Sequence, residues 1–517
     1  MNAQKPTAPV EASRPMGVAQ ELSATVLDTK TIFSRRVVLT GELDTLSTAN
    51  GRWCLFDAMR LLSRVVGVLQ VALPRGLPDL DAEVRVLADG LWSQGSVEVR
   101  HIDETDFNMA VAILNVGHQG RDDVPWTSVN SDGWLARCTS TATAIPADCR
   151  QANPLGAMLA ASAGVAEVFK RVYGVPTEAY PMMDGEQLSL FSLDPGHADI
   201  GPPLPEVVRL PSTLIVGAGA IGNALILLWS QLPLEGTVHI LDKQVYGEEN
   251  LGTCCLLDQN QWLGGGKAEL LAGWLKANAV GAIEATGEQC MVGDAVDGGS
   301  LTAKRINLVI NGLDDNQARH DAQRLWPSLI VDGAINSFGA AVVTHSLERP
   351  DWACLKCTFP LPEKDALGDQ ARATGLGAAS LDGDTNRPIS EADIAAAAPE
   401  VQEELRAGRQ ASATLCSMLP RLLARQRLGV ELEEGFRPSV PFVASAAAAL
   451  TMAQVLRHLN WPDARRIHEF QIADLFRGFH TSLTLQRHAS MGCQCTTQRD
   501  AILALTKRRL AADRTFD

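Results

Sequence analysis

Short apolar runs alternate along this chain with longer stretches in which apolar residues return every three or four positions. In the first half the runs fall at Arg36–Leu39, Gly67–Leu73, Ser96–Ile102 and Ala110–Val116, with a less regular one at Trp126–Cys138, and each is expected to be a strand. Helical periodicity occupies Arg52–Val65 and Leu80–Trp92, and Asn153-Pro154-Leu155-Gly156 leads into an alanine-rich helix over Ala157–Tyr173. Strands separated by helices of this length form mainly parallel sheets covered on both faces.

The same plan then recurs. Ile306-Asn307-Leu308-Val309-Ile310-Asn311-Gly312 echoes Met109-Ala110-Val111-Ala112-Ile113-Leu114-Asn115, and Pro327–Val343 echoes Pro125–Cys138. Pro441-Phe442-Val443-Ala444-Ser445 opens an alanine-rich helix, Ala446–Leu459, as Pro154 opens the earlier one. The expected architecture is α/β, with two tandem Rossmann-like halves. The boundaries read as a disordered lead-in over 1–30, a first half over 31–193 and a proline-rich linker over 194–211. The second half then runs over 212–362 and 436–517, interrupted by a cysteine-containing helical insertion over 363–435.

One stretch sharpens the reading. Leu214–Val216 meets Gly217-Ala218-Gly219-Ala220-Ile221-Gly222, passes into an apolar helix Ile221–Leu232, and a second strand, Thr237–Leu241, ends on Asp242. This is the layout of a nucleotide site. Its glycines admit backbone to phosphate, the helix N-terminus offers N–H donors, and the acid accepts from a ribose hydroxyl. The first half has Thr40-Gly41-Glu42-Leu43-Asp44 at the corresponding place. A glutamate there would repel a phosphate, so only the second half should bind nucleotide.

Bulk properties narrow the setting. The 517 residues are too many for one core, and 46% hydrophobic with 20% charged residues describes a globular chain. The formal charge of −15 argues against a nucleic-acid partner. Eleven cysteines without disulfide spacing, and no apolar core near Met1, suit a reducing, cytoplasmic compartment. Val440–Leu456 is the longest apolar stretch, and its alanines fit a buried core helix better than a membrane span.

Further chemistry lies downstream. Lys267 follows Gly264-Gly265-Gly266, and Asn311-Gly312-Leu313-Asp314-Asp315-Asn316-Gln317-Ala318-Arg319 sits at a strand's carboxyl end, where open α/β sheets place ligands. A lysine suits phosphate, and carboxylates suit Mg²⁺. Cys354-Leu355-Lys356-Cys357 and Cys493-Gln494-Cys495 supply four thiols for a tetrahedral Zn²⁺.

These motifs together resemble the adenylation domain of the E1 superfamily, the ThiF/MoeB/ubiquitin-activating type, over residues 206–360 and 436–495. The first half resembles the inactive half of paired E1 enzymes. Both halves in one chain are similar to the E1-like component of bacterial ubiquitin-like conjugation operons linked to phage defence. The resemblance implies ATP, Mg²⁺ and Zn²⁺ as cofactors and a ubiquitin-like protein and an E2-like carrier as partners, with neither nucleic acid nor membrane. It implies that Gly217, Gly219 and Gly222 admit the phosphates, Asp242 holds the ribose, Asn250 and Lys267 complete the pocket, and Asp315 takes Mg²⁺ with Asn316 and Arg319 supporting its loop.

One position departs from the pattern. The family carries an arginine three residues past the asparagine aligned with Asn250, and here that residue is Thr253. A donated arginine from the first half would replace it, with Arg35, Arg36 and Arg52 as candidates. Thioester-forming members also need a nucleophile, and Cys416 is the one cysteine between Cys357 and Cys493. It starts a helical stretch with Arg421 and Arg425 nearby, a setting that lowers a thiol pKa. Rival readings are adenylation alone, as in sulfur-carrier activation, an NAD-dependent oxidoreductase, and a scaffold with a dead nucleotide pocket.

Overall fold

A computed structural model describes residues 18, 19, 22, 29–257, 262–335, 339–349, 351–361, 371, 374–419, 422, 440–462 and 470–511. The chain divides into two compact units. The larger comprises Lys30–Phe359 and Val440–Asp517, and the smaller comprises Pro360–Ser439 with Met1–Thr29.

The larger unit carries two sheets built alike. The first takes β1 (Arg36–Gly41), β2 (Val68–Leu73), β3 (Ser96–His101), β4 (Ala112–Val116), β5 (Trp126–Asp132), β6 (Leu135–Thr139) and β7 (Glu186–Ser189), in the order β3-β2-β1-β4-β5-β6-β7. The second takes β8 (Val208–Arg209), β9 (Thr213–Val216), β10 (Leu234–Leu241), β11 (Ile283–Glu288), β12 (Leu308–Asn311), β13 (Leu329–Ile335), β14 (Gly339–Ser346), β15 (Phe470–Asp474) and β16 (Leu483–Leu485). Its order is β11-β10-β9-β12-β13-β14-β15-β16, with β8 paired to β10. In both, five parallel strands precede antiparallel ones. The irregular Trp126–Cys138 run proves to be a hairpin, β5–β6, turning at Gly133 with φ +60°. The proline-rich segment 194–211 is not wholly irregular, because β8 pairs in parallel with the start of β10 there.

Strand register makes the duplication explicit. Thr40 lies opposite Asn115, and Val216 lies opposite Asn311. Asn115 faces Ser128 as Asn311 faces Asp332, and Thr40 faces Ala72 as Val216 faces Leu241. Gly41 therefore corresponds to Gly217, Glu42 to Ala218 and Leu73 to Asp242.

The helices that matter here are α1 (Ala49–Leu62), α2 (Pro78–Gly90), α3 (Pro154–Tyr173), α4 (Ala220–Gln231), α5 (Lys267–Asn278), α6 (Asn316–Gln323) and α7 (Pro441–Asn460). α3 begins where the Asn153 side chain accepts from Leu155 N–H beside Pro154, and ends on Gly174 at φ +66°. α3 and α7 pack on each other between the sheets, their alanines letting the backbones approach. Phe169 of α3 meets Phe442 of α7 at 5.5 Å, and Lys170 donates to Phe476 O at 3.0 Å while ion-paired with Glu167. Burying each Val, Leu or Ile of this interface is worth about 1.5–3 kcal/mol. α7 is the one described helix long and apolar enough to cross a membrane, yet 89% of its apolar window is buried inside the fold.

In the smaller unit the expected helical insertion carries two helices, Glu391–Ala396 and Pro399–Gln410. Pro399 lacks an N–H, so it starts a helix and cannot continue one. Its apolar faces gather Ile389, Ile394, Val401, Leu405, Leu415 and Met418. Between Gly375 and Pro388 lies a helical turn at Ala378–Leu381. Arg421 and Arg425 lie outside the described residues.

Candidate functional site

The site sits at the carboxyl ends of β9 and β12, where the strand order reverses and a parallel sheet opens a crevice. Gly217 turns with φ +98°, and a Cβ there would lie 2.7 Å from Gly312 O, so the turn passes directly over the end of β12. A Cβ on Gly222 would lie 2.3 Å from Gly217 O, which lets α4 start tight against the loop. At Gly219 the Cβ direction is open, with no atom within 4 Å. The two packed glycines shape the backbone, and the third leaves room for a ligand.

Around this loop the expected residues gather with partners of their own. Asp242 accepts from Ala218 N–H at 2.7 Å and from Gln244 N–H at 2.8 Å, tying the strand end to the glycine turn. Lys267, first residue of α5 and buried, donates to Gln244 Oε1 at 2.8 Å and lies 5.6 Å from the Tyr246 ring centre. The Asn250 side chain accepts from Gly247 N–H at 3.0 Å and so closes its own turn. Asp315 caps α6, accepting from Gln317 and Ala318 N–H at 3.3 and 2.9 Å.

Arg319 organises the acid-rich loop. Its guanidinium donates to both Asp332 oxygens at 3.1 Å, to Asn316 Oδ1 at 3.0 Å and to Leu313 O, and stacks on Phe359 at 4.3 Å. Burial pushes the Asp332 carboxyl up to about 6 even with Arg319 beside it. The Asn311 amide is fully buried and lies close enough to favour the Asp332 anion, yet neither of its polar atoms closes a well-formed hydrogen bond.

In the equivalent crevice of the first half the Glu42 carboxylate lies across the end of β4, beside an open cavity lined by Gly41, Glu42, Asn115 and His118. Glu42 Oε1 accepts from Asn115 Nδ2 at 2.9 Å, His118 N–H at 2.9 Å and Gln119 N–H at 3.1 Å, and the other oxygen contacts the His118 ring. The Glu42 carboxylate thus satisfies the N–H donors just past the end of β4. Glu42, Asp44 and His118 converge within 4.8 Å at one wall of a 460 Å³ cavity, but Asp44 accepts from Thr45 N–H and Glu42 is committed to these donors. The cluster is self-satisfied.

The four cysteines come together from distant segments. Cys354 Sγ lies 3.8 Å from Cys357 Sγ and 3.6 Å from Cys493 Sγ, and Cys357 Sγ lies 3.7 Å from Cys495 Sγ. A zinc ion with bonds of about 2.3 Å demands sulfurs about 3.8 Å apart in a tetrahedron. The donor set fits. Ser490 N–H donates to Cys357 Sγ at 3.3 Å, the support a thiolate needs.

Cys416 is partly buried in the first turn of the helix 415–419 of the smaller unit. Its N–H donates to Thr385 O at 2.7 Å, and Thr414 caps the turn through Ser417 N–H at 3.3 Å. Among the arginines considered as donors, Arg35 is turned to Val172 O and Arg52 to Glu83, 3.9 Å away on α2 of its own half. A first-half arginine that bonds the second half is Arg64, which the sequence pattern does not single out. Its fork donates to Cys254 O at 2.9 Å and Leu257 O at 3.0 Å.

Residues 197–495 match the ThiF family. The chain belongs to that family. The match takes in the Gly217 loop, Lys267, the Asp315 loop and all four clustered cysteines. As a ThiF protein it falls in a family of adenylyltransferases related to MoeB. Uncharacterized protein y4jF of Sinorhizobium fredii is 28% identical over 257 residues, covering 49% of this chain and 48% of y4jF. The chain thus spans about half the length of the curated relative it matches. E. coli MccB crystallised with ATP aligns at 12% identity over 55% of this chain and 65% of MccB, with a TM-score of 0.33. MccB with MccA-N7isoASN aligns at 12% identity over 55% and 67%, with a TM-score of 0.34. Superpositions that loose carry no conclusion about this ThiF chain.

Proposed function

We propose that this ThiF protein uses ATP and Mg²⁺ to adenylate the C-terminal carboxylate of a ubiquitin-like protein, then holds the acyl group as a thioester on Cys416 for transfer to an E2-like carrier. The observation that carries the reading is the contrast between equivalent positions of the two halves. Where Asn115 holds Glu42, Asn311 stands without a well-formed bond, and Ala218 and Gly219 leave the space open. A ligand is expected on one side only.

In this reading the triphosphate lies over Gly217 and Gly219, with Lys267 as the cation beside it and Asp242 toward the ribose. Asp315 keeps lone pairs beyond its capping bonds for a Mg²⁺ that arrives with the nucleotide and neutralises phosphate charge. The substrate carboxylate attacks the α-phosphorus, an oxygen–phosphorus bond forms, and the bond to the β-phosphate breaks to release pyrophosphate. Pre-set positive charge lowers the barrier. The Cys416 thiolate then attacks the acyl carbon, AMP leaves, and a carrier thiol takes the acyl group in turn. The four cysteines would hold Zn²⁺ as a structural clamp joining Cys354–Cys357 to the segment beyond β16. Both halves in one chain support a place among the bacterial ubiquitin-like conjugation operons, acting in the cytoplasm.

The test is a gel run without reductant after incubation with ATP, Mg²⁺ and a candidate ubiquitin-like protein. A thiol-sensitive adduct lost in Cys416→Ala and kept in Cys290→Ala is the expected result. Pyrophosphate exchange with no adduct in the wild type would leave adenylation alone and remove Cys416 from the mechanism.

A further inference from the structure

Arg64 follows α1 in the first half, and its side chain is fully buried. Burial lowers its pKa to about 10, so it remains a cation at neutral pH. No carboxylate closes on it with a hydrogen bond among the described residues. Its bonds go to backbone and hydroxyl oxygens: Cys254 O and Leu257 O across the duplication, Arg60 O at 2.6 Å and Ser63 Oγ at 3.1 Å at home. The planar fork takes two carbonyls of one loop at once, which a lysine cannot do.

That loop touches the glycine turn. Leu256 N–H donates to Asn223 Oδ1 at 3.4 Å, and the buried Asn223 donates through Nδ2 to Gly219 O at 3.1 Å and to the Tyr246 hydroxyl at 2.7 Å. Tyr246 donates in turn to Ala218 O at 3.0 Å, and Lys267 lies over its ring. An unbroken polar chain therefore runs from Arg64 through residues 254–257 and Asn223 to both carbonyls of the glycine turn. It passes beside Thr253, the position where the family's own arginine is missing.

We infer that Arg64 is a positioning residue through which the first half holds the glycine turn of the second half in its nucleotide-receiving shape. This rests on the Gly217 crevice being the nucleotide site. It gives the half that carries Glu42 in its crevice a task. Without the fork, Cys254 O and Leu257 O each lose a charged donor, Cys254 O keeping the Leu257 N–H at 3.1 Å, the 254–257 loop shifts toward other donors, and Asn223 loses its fixed orientation.

The test uses the full chain with hydrogen exchange of the ligand-free protein and calorimetric titration with ATP·Mg²⁺. Arg64→Met is expected to speed exchange at Ala218–Asn223 and weaken ATP binding about tenfold, the effect of losing one charge-assisted bond. Arg64→Lys should fall between wild type and Arg64→Met. Arg137→Met, which removes another buried first-half arginine bonded to Asp148 O at 2.9 Å, should lower thermal stability and leave both readouts unchanged. Unchanged exchange at Ala218–Asn223 in folded Arg64→Met, or an equal effect of Arg137→Met, would overturn the inference. If Arg64→Met does not fold, Arg64→Lys decides by the same readouts. Should the wild type not bind ATP at all, the nucleotide reading fails on its own, and exchange at the turn still decides whether Arg64 positions it.

Discussion

The three glycines of the turn separate a binding role from a packing role, and two substitutions distinguish them. In Gly222→Ala the new Cβ would lie 2.3 Å from Gly217 O, a backbone atom that cannot swing aside. An ordinary contact needs about 1 Å more, so α4 must lift from the loop, at an overpacking cost of about 1–3 kcal/mol. Better helix propensity returns up to about 1 kcal/mol. The net expectation is a loss of about 1–2 kcal/mol in urea unfolding. In Gly219→Ala the Cβ meets nothing within 4 Å, while φ −77° with ψ −148° lies just past the edge of the β region open to alanine. The stability loss from that adjustment and a poorer N-cap is about 1 kcal/mol. The Cβ nevertheless occupies the open space assigned to phosphate, so ATP affinity measured by calorimetry should fall at least about tenfold, or about 1.4 kcal/mol. A Gly219→Ala protein that binds ATP as tightly as the wild type would refute the placement of phosphate at this turn.

Asp57 is fully buried with neither carboxylate oxygen hydrogen-bonded among the described residues, and desolvation raises its pKa to about 7, opposed by Arg60. The folded value exceeds the unfolded one of about 3.9, so the native state binds the extra proton and stability falls as pH rises from about 4 to about 7. Asp57→Asn should flatten that fall in the urea midpoint, and an unaltered pH profile would reject the assignment. Cys357→Ser should lower the zinc content by one ion per chain and reduce thermal stability, read by mass spectrometry and calorimetry. Zinc retained at the wild-type level would exclude the four-thiol site. Glu42→Ala removes the acceptor for three N–H donors and should cost about 1–3 kcal/mol, while ATP still binds at one site per chain.

Local signals made much of this protein readable. A glycine at φ +98°, an apolar period that switches between strand and helix, and two thiols three residues apart are each dictated by near neighbours in the chain. They indicated the tandem α/β halves, the Gly217 turn, the acid-rich loop and the cysteine set. They also suggested from Glu42 that the first crevice takes no phosphate. The sequence could not show that its carboxylate turns inward onto His118 and Gln119 N–H, because those donors lie across the sheet. Arg64 stayed hidden for a similar reason. Its partners are carbonyl oxygens, which every residue carries, so no side-chain type marks them. Only folding the duplicated halves against each other decides which first-half arginine bonds the 254–257 loop of the second, and it sets Arg64 there while Arg52 stays with Glu83.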